Sequence, residues 1–206
     1  MLENKPGTSS ARLAKLIELR LAPGADKAAI DKQIWNTFGE EWAVMFTDLT
    51  GFSRRSAEFG IIHFLQTIYE SERLFIPIID RHNGLMIKSE GDSLLVLFRK
   101  PDSALQCAID MQKSCHQYNL DRLDEEKVLL CVGLGHGQVL KIGDSDVFGS
   151  EINAASKLGE DLAKSYDIFV TGNFFHGTRD SFNFEQLQID TPVGTDAAYR
   201  LVYNKN

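Results

Sequence analysis

Between Trp42 and Phe98 the chain carries an order of hydrophobic patterns that few folds can accept: one unbroken apolar run, a long helical stretch, then two short apolar runs around a tight turn. Residues 42–48 (WAVMFTD) read as a buried strand that ends at Asp48 and turns through Thr50-Gly51. Residues 55–82 have helical spacing, and Pro77 predicts two helices there or one kinked helix. Asn83-Gly84 gives a turn, and residues 85–90 and 93–98 read as a hairpin around Gly91-Asp92. Pro101 and Asp102 open a third helix, with Ala104, Leu105, Ala108, Ile109 and Met111 facing inward. Strand returns over 127–140, with a break expected across Gly133-Leu134-Gly135-His136-Gly137. Helix is expected over 150–165, and late strands near 168–171, 182–189 and 197–203. The order predicts an α+β fold: a ferredoxin-like βαββαβ core sheet, rich in antiparallel pairs, with helices packed on it and extra C-terminal strands.

Ahead of this core, Leu13, Leu16, Ile17 and Leu21 fall at helical spacing until Pro23-Gly24 stops them. Ile30, Ile34, Trp35 and Phe38 mark a second amphipathic stretch. Residues 1–40 are therefore read as a helical prefix and 41–206 as the main domain.

With 206 residues, 43% apolar, the chain can bury a full core. No apolar run reaches the ~18 residues of a membrane span, and the first twenty residues mix Leu with Lys, Arg and Glu, unlike a secretory signal. Twenty-two basic against twenty-nine acidic residues give a charge of −7, which argues against a nucleic-acid backbone binder. Cys107, Cys115 and Cys131 are odd in number and lack C-x-x-C spacing, so buried free thiols in a reducing cytoplasm are expected.

Two carboxylates stand in unusual settings. Asp48 closes the apolar strand just ahead of Thr50-Gly51-Phe52-Ser53, where a helix should begin, and Asp92 sits at the hairpin tip. In a βαββ unit those two places are neighbours, so the pair could share hard divalent cations such as Mg²⁺ or Mn²⁺. The backbone N–H groups after Asp48, through Thr50, Gly51 and Phe52, would favour a triphosphate. Lys88 lies on the strand leading into the same hairpin. Asn153 and Lys157 share one helix face, and Asp146 precedes that helix closely enough to point into the same cleft. Plainer readings stand beside these: a helix cap for Asp48, a turn residue for Asp92, an edge-strand lysine for Lys88, and a capped surface helix after Asp146.

Other motifs fail. Gly133-Leu134-Gly135-His136-Gly137 is not G-x-G-x-x-G, because position 138 is Gln and more strand comes after it. There is no P-loop, and no G-x-S-x-G elbow of a serine hydrolase.

Together, FTDLTGFS (46–53), KSEGDSLLVLF (88–98), VGLGHGQVL (132–140) and DVFGSEINAASKL (146–158) resemble, in order and spacing, the class III adenylate/guanylate cyclase catalytic domain. AAYRLVY (197–203) is similar to that family's final strand, so the likeness runs from 42 to 203. The resemblance implies a head-to-tail homodimer with composite active sites, ATP as substrate, and two Mg²⁺ or Mn²⁺ ions per site. Asp48 and Asp92 match the metal-binding aspartates, with the Leu49 backbone carbonyl as a further ligand. Lys88 and Asp146 match the purine-reading pair from the other subunit, with Val147 beside them, and Asn153 matches the asparagine that orients the ribose. Lysine facing N1 and aspartate facing the 6-amino group select adenine; guanine inverts both groups. The implied reaction is attack of the ATP 3′-oxygen on the α-phosphorus, giving 3′,5′-cyclic AMP and pyrophosphate.

The chain departs from that pattern in two places. Lys157 stands where the family has its transition-state arginine, and an ammonium cannot fork two hydrogen bonds to phosphate. Residues 189–196 lack the family's lysine near the last two strands; Lys141 is a candidate to compensate. These departures predict a slow enzyme, with a catalytically silent ATP-binding or dimerisation module as the alternative. A diguanylate cyclase would need a GG[DE]EF-like turn, which Ser89-Glu90-Gly91-Asp92-Ser93 is not.

Overall fold

The computed structural model describes residues 7–51 and 58–204. Two helices, α1 (Ser9–Leu21) and α2 (Lys27–Phe38), lead into β1 (Gly39–Leu49). Ala43 and Met45 of β1 are buried in the main core, while Trp42 and Val44 are buried on the opposite face. Burial on both sides explains why this run is apolar without alternation. Next come α3 (Ile61–Arg81), β2 (Leu85–Glu90), β3 (Ser93–Phe98), α4 (Pro101–Asn119), β4 (Leu130–Ile142) and β5 (Asp146–Phe148). The chain closes with α5 (Ser150–Lys157), a π-helical turn (Leu158–Leu162), β6 (Ile168–Thr171), α6 (Gly172–Thr178), β7 (Asn183–Gln186) and β8 (Ala198–Val202).

The strands form one sheet in the order β2-β3-β1-β4-β6-β8-β7, with β5 paired to the far end of β4. Every pairing is antiparallel except β4–β6. The β2-β3-β1-β4 portion has the expected split βαββαβ topology. Helices α3 and α4 cover one face, burying Phe75, Ile79, Leu105 and Met111 against Met45, Val96 and Leu134. Each such side chain contributes roughly 1.5–3 kcal/mol through burial. α5 covers the other face, with Ala155 against Val44 and Leu97. The prefix helices pack Leu16, Ile34 and Phe38 onto Ile142, at the outer end of β4.

Three local expectations are corrected. α3 runs unbroken through Pro77; its start is set by Gly60, whose φ of 87° lies in the left-handed region, and the expected helical residues 55–57 lie outside the described residues. β4 also continues unbroken through residues 133–137. The glycines there answer to packing: a Cβ on Gly133 would overlap the Ala155 carbonyl oxygen, and one on Gly135 would come 2.8 Å from Glu151. Finally, the helix expected over 150–165 is α-helical to Lys157 and continues as a π-helical turn only to Leu162, and β5 and α6 were not anticipated from the sequence.

All three cysteines are buried free thiols. Burial pushes Cys107 up to about 12 and Cys131 up to about 11, which leaves them protonated and inert. No helix among the described residues is long and apolar enough to cross a membrane.

Candidate active site

Trp42, Val44 and Phe46 associate with one face of β1, and the period of two puts Asp48 on that same face at the strand's end. Beside it, β2 and β3 turn tightly through Gly91, whose φ of 61° suits the first turn residue, and Asp92. The two aspartates meet. Burial, then the proximity of Asp92 and Glu160, raise the Asp48 carboxyl to about 7. The Leu49 backbone N–H and the Ser93 hydroxyl, 3.4 Å from Oδ1, oppose that rise. Asp92 is raised as well, chiefly by burial and also by Glu160, while its own N–H, the Leu49 N–H and the Asp48 side chain act the other way. Two half-buried carboxylates sharing one backbone donor, with a third carboxylate close by, form a strongly cation-seeking corner.

The second group lies along the same wall. The Lys88 ammonium sits 2.9 Å from Asp146 Oδ1, which also accepts the Val147 N–H at 2.8 Å. A bulge makes this contact possible. Met86 pairs with Val96, but Lys88 pairs with Leu95 instead of Leu94, so one extra residue, Ile87, is inserted. Leu95 belongs to the face shared with Trp42 and Val44, whereas Leu94 faces the α3–α4 side. Without the bulge, in a regular ladder of the same length, Lys88 would pair with Leu94 and point under the helices. With it, Lys88 joins Phe46, Glu90, Ser93, Leu95, Asp146, Val147, Phe148, Ile152 and Glu160 around a cleft of about 350 Å³.

The remaining predicted residues divide. Val147 is buried at the cleft wall. Thr50 does not offer its backbone amide, which donates to the Leu129 carbonyl at 2.8 Å, and its hydroxyl lies 2.8 Å from Cys131 Sγ. Gly51 is exposed with φ of 81°, and Phe52 lies outside the described residues. Lys141 does not line the cleft; its ammonium is held by the Gly143 carbonyl and by Asp144 Oδ1 at 2.7 Å, both within the β4–β5 turn. Asn153 and Lys157 are both exposed on α5 and do not line this cleft, and Lys157 is paired with Asp161 at 2.7 Å. Glu90, Ser93 and Glu160 were missed in the sequence. The first two could have been found from the hairpin register once the bulge was known. Glu160 could not, because the π-helical turn that presents it carries no sequence signal.

Do these residues suit divalent cations? The chemistry fits: two carboxylates are held close, and both are raised by burial and acidic neighbours. No cluster of three or more His, Cys, Asp or Glu suited to a metal occurs among the described residues. Backbone and substrate oxygens would therefore complete the shell, as is usual for Mg²⁺.

Comparison with known proteins agrees with the fold. Residues 37–193 match the family described as adenylate and guanylate cyclase catalytic domain. The chain belongs to that family. An adenylate cyclase from Mycobacterium tuberculosis is 26% identical over 198 residues, covering 88% of this chain and 43% of its own length. The serine/threonine-protein kinase pkn2 of Myxococcus xanthus is 29% identical over 128 residues, covering 62% of this chain and 15% of the kinase. The chain thus spans less than half the length of these curated relatives. The crystal structure of an adenylate/guanylate cyclase/hydrolase from Silicibacter pomeroyi superposes with a TM-score of 0.68 at 23% identity, covering 81% of this chain and 98% of the other.

Proposed function

We propose that this chain is an adenylate cyclase that converts ATP to 3′,5′-cyclic AMP and pyrophosphate at composite sites in a head-to-tail homodimer. The observation that carries the reading is the Lys88–Asp146 pair at 2.9 Å, which lines the cleft. Adenine presents an acceptor at N1 and a donor at N6, which suit an ammonium and a carboxylate respectively. Guanine presents the opposite pair and would leave both side chains buried and mismatched.

Asp48, Asp92 and the Leu49 carbonyl would hold the cations. Bound there, two Mg²⁺ or Mn²⁺ ions would neutralise the triphosphate and ease ionisation of the 3′-hydroxyl. Phe46, Leu95, Val147 and Ile152 supply apolar walls that exclude water from the base. From the second subunit, Lys88 and Asp146 would read the base, Asn153 would orient the ribose, and Lys157 would bring its charge to the phosphates once released from Asp161. A partner is also favoured by the exposed Ile61, Ile62, Leu65 and Tyr69, which form an apolar stripe on α3.

A second reading, a silent nucleotide-binding module, is favoured by the Lys157–Asp161 pair, which occupies the cation standing at the arginine position. The deciding experiment is cyclisation by the purified protein of ATP and of GTP, with Mg²⁺ or Mn²⁺, over a range of protein concentrations. Cyclic AMP formed with Mn²⁺, in preference to cyclic GMP, is the expected result. Nucleotide binding without any cyclic product would leave the second reading.

A further inference from the structure

We propose that Glu151 is a positioning residue: its buried carboxylate fixes α5, the helix that presents Asn153 and Lys157, by closing hydrogen bonds to three separate elements. Glu151 is only 3% exposed and stands in the first turn of α5. Its Oε2 accepts the His136 backbone N–H from β4 at 3.0 Å and the Thr171 hydroxyl from the end of β6 at 2.8 Å. Its Oε1 accepts the Asn173 amide from α6 at 2.7 Å.

The topology explains why a carboxylate is needed there. β4 pairs with β6 only as far as Leu134–Val170, because the chain leaves the sheet at Thr171 and enters α6. The His136 amide lies beyond that ladder, and the Glu151 carboxylate takes the place of the absent strand. A buried amide left unpaired would cost about 1–3 kcal/mol. At the start of α5, Gly149 in the N-cap position supplies no side-chain hydrogen bond. A carboxylate in the first turn is further favoured by the positive end of the helix dipole. Glycine makes the floor beneath it: a Cβ on Gly137 would come 3.1 Å from Glu151 Cγ.

One face of α5 is thus bonded to β4, β6 and α6, while the other presents Asn153 and Lys157. Glu151 is buried on the bonded face, so it acts on any reaction only through the helix. What it positions these side chains for rests on the cyclase reading; that it holds the helix does not.

The test is a donor–acceptor exchange between positions 151 and 173. Glu151→Gln replaces one accepting carboxylate oxygen with an NH₂ that cannot accept from the Asn173 amide as it stands, and Asn173→Asp sets two carboxylates against each other. The double variant restores one N–H···O contact with its polarity reversed, and Asn173 is exposed enough to accept the charge. Each single variant is expected to speed amide hydrogen exchange in residues 150–157 about tenfold, with α4 unaffected, as one unpaired buried polar group would. With ATP and Mn²⁺, kcat should fall by about tenfold while KM moves less than about threefold, and the double variant should recover both measures. Should Glu151→Gln fail to fold, Thr171→Val, which deletes a single hydroxyl donor, should give a smaller effect of the same kind. Unaltered α5 exchange, no recovery in the double variant, or exchange that rises with kcat unchanged would each overturn the proposal. Wild-type protein that makes no cyclic nucleotide, while α5 exchange responds and recovers as stated, would remove the cyclase reading and leave Glu151 as the anchor of α5.

Discussion

Asp48 holds its proton far longer than an ordinary aspartate, and the sign of that shift has a measurable effect. Its carboxyl titrates at about 7 in the fold against 3.8 for the free side chain, so the folded state binds the proton more tightly. The stability this contributes is complete below 3.8 and is lost as pH rises through about 7. In chelator, the melting temperature of the wild type should fall between about pH 5 and pH 8 more steeply than that of Asp48→Asn. Mn²⁺ added at the upper pH should raise the wild-type melting temperature and leave that variant nearly unmoved. Identical profiles for the two proteins would mean that Asp48 is not the group responsible. Lys88→Glu places a second carboxylate beside Asp146, and kcat/KM for ATP should drop at least about tenfold as one charge-assisted contact is lost. Unchanged ATP kinetics would remove Lys88 from base reading. At position 157, Lys→Arg should raise turnover and Lys→Ala should lower it, because only the guanidinium can fork to two phosphate oxygens. A flat response would mean that this position does not face the phosphates. Asp48, Asp92 and Asp146 stood out in the sequence because each sits at a recognisable strand end or turn, and Lys88 because its strand leads into the hairpin that carries Asp92. Glu151 and Glu160 were not, since nothing local distinguishes a buried glutamate from the many exposed ones.

At the scale of elements, the readable features were those that a strand or helix determines alone. β1 declared itself through an apolar run buried on both faces, and α4 through Pro101 at its first position. The misread features depend on what packs across the sheet. Glycine normally weakens a strand, yet β4 needs its glycines because α5 lies directly on the backbone. Gly133→Ala should therefore destabilise by more than about 3 kcal/mol, since the new methyl meets a carbonyl oxygen on a packed helix and no flexible side chain can yield. Urea unfolding measures this. A loss below about 1 kcal/mol would show that α5 can shift away without cost. Pro77 was overweighted for a related reason: losing one backbone hydrogen bond near the end of α3 matters less than the buried Phe75, Ile78 and Ile79 around it.

For the whole molecule, composite sites predict complementation. Asp48→Ala and Lys88→Glu damage opposite halves of a shared site, so each variant alone should be inactive or nearly so. Mixed in equal amounts, half of the dimers would be heterodimers with one intact site, restoring about a quarter of wild-type turnover. Sites confined to one chain would give no recovery. Specific activity should likewise rise with protein concentration until the dimer saturates. The outline of this assembly's fold was available from the order of strands and helices, whereas the facing of individual side chains was not, because it depends on register. Through the Ile87 bulge, the base preference proposed for this chain depends on length as well as on identity: deleting Ser89 would let the ladder run regularly, with Ile87 opposite Leu95 and Lys88 opposite Leu94, on the wrong side of the sheet. A genetic change that leaves every chemically important residue in place could therefore erase the distinction between two purines.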